Sequence, residues 1–79
     1  MNNRSTDMYI PSAYTKKPSE LVLDLRRSGW SQEQIAVATG VSQPTICRIL
    51  SGQHKDPRYS VVERLRELVL NLTELTGEA

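Results

Sequence analysis

The sequence has a single cysteine and no phenylalanine. A lone Cys47 cannot close an internal disulfide, which excludes the disulfide-stapled secreted scaffolds. No apolar run approaches the roughly 20 residues that a membrane-spanning helix needs, and the first 20 residues hold no hydrophobic stretch of the kind that opens a secretory leader. A soluble, cytoplasmic chain without a membrane partner is expected. Aromatics are scarce, only Trp30 and three tyrosines. The core must come from Leu, Val and Ile, which suits packed helices. No segment alternates apolar and polar residues with the period of a strand.

Catalytic equipment is missing as well. One histidine and one cysteine cannot build a zinc site of the ordinary kind. No carboxylate pair, nucleophile–base set or phosphate loop is visible. The reading is therefore not an enzyme, with no metal, no cofactor and no small-molecule ligand evident.

What is present is a chain of 79 residues, 38% apolar and 24% charged, a globular composition sized for one small domain. Net charge is only +1, but its distribution is uneven. Residues 1–58 carry eight basic and five acidic side chains, and residues 59–79 two basic and four acidic. A basic front with an acidic tail fits an anionic partner at one end.

Residues 1–17 are polar and aperiodic, with Pro11 among them, and read as a flexible arm that includes Lys16 and Lys17. Residues 18–79 read as the domain. A first helix is expected from about Ser19, as N-cap, to Ser28, with Leu21, Val22 and Leu25 inward and Gly29 ending it. Ser31 and Gln34 form a capping box for a second helix, with Trp30 poised to staple onto Ile35. Ser42 caps a third, and Pro44 sits in its first turn, where a missing N–H costs nothing. Ser60 and Glu63 form a further capping box before a fourth helix running to about Leu75. Its apolar residues are too many for one stripe. Either it breaks near Asn71, or a second face meets another chain.

Helices two and three lie about three residues apart at Gly40-Val41-Ser42. Gly40 permits a sharp turn at positive φ. Ala36 is small where the helices approach, and Ile35, Val41, Ile46 and Ile49 are apolar where they touch. This pattern describes a helix-turn-helix. Thr39 stands where an apolar residue is more usual, and its methyl can still pack.

Gln32 to Tyr59, "QEQIAVATGVSQPTICRILSGQHKDPRY", resembles the DNA-binding domains of lambdoid phage repressor and Cro proteins and the wider XRE-type regulator family. Beyond the generic motif it has Gln at the start of both helices, Gln32 and Gln43, and Ser51-Gly52 leading into a loop that ends Lys55-Asp56-Pro57-Arg58-Tyr59. Residues 19–70 match more loosely. The arm and the tail do not match. The resemblance implies an all-α, four- to five-helix lambda-repressor-like domain that places its third helix in the major groove of double-stranded DNA.

Its outward positions are Gln43, Pro44, Cys47 and Arg48. Gln43 can pair with adenine N6 and N7, Arg48 can pair with guanine O6 and N7, and Pro44 and Thr45 offer apolar contact to a thymine methyl. Cys47 is a small neutral neighbour. The resemblance further implies that Gln32 meets a phosphate and braces Gln43, that Ser51, His54, Lys55 and Arg58 clamp the backbone, and that Lys16 and Lys17 are possible arm contacts to the DNA. Asp56 is out of place in such a loop, so it is expected to pair with Arg58 or to turn away.

The leading functional expectation is a sequence-specific transcriptional regulator, a Cro/repressor-type repressor. It would bind a near-palindromic operator as a homodimer, with Tyr59, Val61, Leu68, Leu70 and Leu75 as interface candidates. Two alternatives stand beside it, an antitoxin that represses its own operon and a protein-interaction module that uses the fold without DNA.

Overall fold

The computed structural model describes the backbone of residues 12–75 and the side chains of residues 13–72. A 3-10 turn at Ser12–Tyr14 precedes four helices: α1 (Pro18–Arg27), α2 (Gln32–Thr39), α3 (Gln43–Ser51) and α4 (Tyr59–Leu75). There is no strand among the described residues, so the fold is all-α.

The helix ends follow from local chemistry. Pro18 occupies the first turn of α1, where its fixed φ is already helical. The helix therefore starts before Ser19, which is not its cap. Lys17 holds the cap position instead, its N–H donating to Glu20 Oε1 at 2.8 Å. At the other end Gly29 adopts φ +103°, and the amides of Gly29 and Trp30 donate to the carbonyls of Arg26 and Leu25. This crossed pair is a Schellman closure.

The capping box of α2 is present: Gln34 N–H donates to Ser31 Oγ at 3.0 Å, and Ser31 N–H donates to Gln34 Oε1 at 2.8 Å. Gly40 turns the chain at φ +79°, and the amides of Gly40 and Val41 both donate to the Ala36 carbonyl. Ser42 caps α3, accepting from Thr45 N–H at 3.3 Å. The half-buried Thr39 sends its hydroxyl back to the Ile35 carbonyl at 2.8 Å, so it strands no polar group at the turn.

The start of α4 differs from the expected capping box. The amides of Val61 and Val62 donate to the Arg58 carbonyl, so the helix opens at Tyr59 and Ser60 lies inside it. The helix does not break at Asn71.

α1 is the centre of the packing and touches each of the other three helices. Leu21, Val22, Leu25, Ile35, Ile46 and Leu65 are fully buried, with Ile49 nearly so. Each such aliphatic side chain contributes about 1.5–3 kcal/mol when removed from water. On α4 the buried stripe is Val61, Leu65, Leu68 and Val69, with Val62, Leu70 and Leu72 partly buried against it. Val61 and Leu68 thus serve this chain's own core rather than a face open to a second chain.

Residues 12–17 correct the arm boundary. Ala13 is buried in the core, the Tyr14 ring lies 5.3 Å from the Arg66 guanidinium, and Lys16 Nζ pairs with Asp24. The 3-10 turn packs on α4. This segment is part of the domain, held by one small apolar anchor, a cation–π contact and an ion pair. The rest of the expected arm, residues 1–11, lies outside the described residues.

Candidate nucleic-acid interface

α3 is two-sided. Ile46 and Ile49 are buried against α1 and α2, and Leu50 is half-buried beside them. The opposite edge, Gln43, Pro44, Cys47 and Arg48, is exposed along its length. The division follows from the spacing of three and four residues that puts side chains on one helix face. Thr45 stands apart from that edge. It is half-buried, and its hydroxyl lies 2.9 Å from Ser42 Oγ.

The loop after α3 is shaped by its own backbone. Gly52 takes φ +88°, and the Arg48 carbonyl accepts both from His54 N–H and from Ser51 Oγ, each at 3.1 Å. Ser51 is exposed, but its hydroxyl already works within the loop. Lys55 and Arg58 are exposed and His54 is half-buried. Gln32 is half-buried at the start of α2. No hydrogen bond joins its side chain to Gln43 among the described residues. Asp56 is exposed and forms no ion pair with Arg58.

Charge pairing divides the cations. Among the described residues the ion pairs are Lys16–Asp24, Arg64–Glu67 and Arg66–Glu63. Arg26 donates to the Trp30 carbonyl at 2.9 Å. Lys17, Arg27, Arg48, Lys55 and Arg58 have no acidic partner among the described residues. Four of these, Lys17, Arg48, Lys55 and Arg58, lie on α3, in the loop after it, or in the groove beside it. Sequence reasoning placed Lys16 and Lys17 together on an arm. The fold separates them, pairing Lys16 with α1 and bringing Lys17 into one groove with Gly52, His54 and Lys55. The sequence offers no local sign of this, because the groove is made where α1 starts against the end of α3.

The candidate dimer residues also divide. Tyr59 is 73% exposed and Leu70 is half-buried, whereas Val61 and Leu68 are buried. The Leu75 side chain lies outside the described residues. The described residues contain no group of three His, Cys, Asp or Glu side chains placed to hold a metal ion, and no helix long and apolar enough to cross a membrane.

Comparison with known proteins agrees with the geometry. A helix-turn-helix domain family matches residues 24–75. Protein P2 of Acyrthosiphon pisum secondary endosymbiont phage 1 is 44% identical over 61 residues, which is 77% of this chain. The match spans 65% of that relative's length. No solved structure matches. With α2, the Gly40 turn and α3 inside the matched span, the chain belongs to the XRE-like helix-turn-helix domain family.

Proposed function

We propose that this protein is a sequence-specific transcriptional regulator of the Cro/repressor type, which inserts α3 into the major groove of a near-palindromic operator. The observation that carries the reading is the exposed Gln43–Pro44–Cys47–Arg48 edge on a helix whose other side is locked into the core. Gln43 reads adenine, Arg48 reads guanine, and Pro44 with the Thr45 methyl lies against a thymine methyl. Lys55 and Arg58 neutralise phosphates and fix register without reading sequence. Gln32, Ser51 and His54 sit at the edges of the same surface and contact the backbone there.

The protein acts as a homodimer that sets two copies of α3 about 34 Å apart, one turn of the duplex. Tyr59 and Leu70 are the described side chains left for the dimer face, and Leu75 belongs with them. Repression then follows from occupying a promoter.

Selection of bound duplexes from a random pool tests the reading. Recovery of a palindrome with half-sites one helical turn apart is the expected result. A pool that stays random after selection, or no retention of DNA at low salt, sinks it.

A further inference from the structure

Lys17 and Lys55 are far apart in the chain yet line one groove. The end of α3 contributes Ile49 and Gly52 to it, the start of α1 contributes Lys17 and Ser19, and the loop after α3 contributes His54 and Lys55. No acidic side chain lines it. Neither lysine has an ion-pair partner among the described residues. Two lysines lining one cleft add their positive charge there, and an anion seated between them offsets it.

The peptide groups of the first α1 turn do not make this site. Pro18 has no N–H, the amides of Glu20 and Leu21 donate to the Lys17 carbonyl, and the Lys17 amide donates to Glu20 Oε1. The Glu20 carboxylate is thereby held on the backbone of the cap. Attraction for an anion comes from the side chains.

We propose that this groove seats one phosphate of the DNA backbone, just beyond the end of α3, with Lys17 and Lys55 on its two sides and the His54 imidazole beside them. The inference rests on the reading of α3 as the helix that enters the major groove. It commits to duplex phosphate because the groove is continuous with that helix. The major groove is about 12 Å wide, so a backbone passes close to the ends of an inserted helix. Lys17 is then no arm residue. It is a fixed contact, held by the start of α1, that sets how deeply α3 sits.

The test uses the full chain as wild type, Lys17→Gln, Lys55→Gln and the double variant, each checked for helix content by circular dichroism. Binding to a random duplex is measured across salt concentrations, and ethylation interference maps the phosphates on a selected duplex. The double variant is expected to flatten the log–log salt slope by about one, the share of a single phosphate, and the two single variants by part of that. Both single variants are also expected to lose interference at the same phosphate. A Lys17→Gln variant with the wild-type slope and interference pattern overturns the proposal while leaving the DNA-binding reading intact. Inorganic phosphate that saturates the groove at millimolar concentration, with the DNA slope unchanged by either variant, overturns it in favour of a free-anion site. If the wild type binds no duplex at any salt, both readings fail together.

Discussion

Arg64 reaches from α4 to the end of α2, its Nε–H donating to the Ala38 carbonyl at 3.0 Å. Its Nη1 also pairs with Glu67 at 2.9 Å. The first contact holds the helix that precedes the Gly40 turn, so it bears on how α2 braces α3. Arg64 is about half exposed, which puts its charged hydrogen bond at the weak end of the usual range. Arg64→Ala is expected to cost about 1 kcal/mol in urea denaturation, whereas Glu67→Ala stays within about 0.5 kcal/mol because the exposed ion pair contributes little. Equal losses for the two variants assign the stabilisation to the ion pair and not to the Ala38 carbonyl.

Gly40 separates backbone strain from steric clash. A Cβ placed there meets nothing within 4 Å, yet φ is +79°. Gly40→Ala is therefore expected to destabilise by about 1–2 kcal/mol through conformation alone, and Gly40→Asn by less, since Asn visits this region more readily. Thermal unfolding of the two variants checks it. The reverse order removes the left-handed backbone as the reason for glycine here.

Tyr59 is held above its ordinary pKa of 10.0, first by a hydrogen bond to Glu63 and then by the charge of that carboxylate. Ionising the phenol breaks the bond and sets two negative charges side by side. The contact therefore persists at neutral pH and is lost as pH rises through the raised pKa. Glu63→Gln is expected to bring the Tyr59 titration back down in an absorbance titration at alkaline pH. An unmoved titration refutes the contact.

Arg48 is exposed and has no acidic partner among the described residues, so removing it should leave the fold alone. Arg48→Ala is expected to lose about 1–3 kcal/mol on the selected duplex and to relax one base position, with a much smaller loss on random DNA. Binding titrations on both duplexes decide it. Equal losses make Arg48 a phosphate contact.

Much of this was legible in the sequence where a residue's effect is local. Ser31, Gln34, Ser42, Gly29 and Gly40 act within one helical turn, and the end of α1, both ends of α2 and the start of α3 fall where they indicate. The misplaced ends are those where a local signal had a rival. Pro18 opens α1 before Ser19 can cap it, and the Arg58 carbonyl takes the first bonds of α4 before Ser60 can. Burial on α4 was harder to read. Val61 and Leu68 looked surplus because the core they join also takes in Ala13, from a segment whose own sequence shows no period. The exposed edge of α3 could be read from spacing alone. The separation of Lys16 from Lys17 could not, since Asp24 and the 52–55 loop reach them only in the folded chain.

Cys47 gives the most direct test of the central claim, because this single, exposed cysteine lies on the edge of α3 proposed to enter the groove. The measurement is its rate of modification by a small thiol reagent, with and without saturating selected duplex. Protection by the duplex, lost again when salt dissociates the complex, is the predicted result. An unchanged rate on fully bound protein contradicts the account, because the DNA would then lie on some other face.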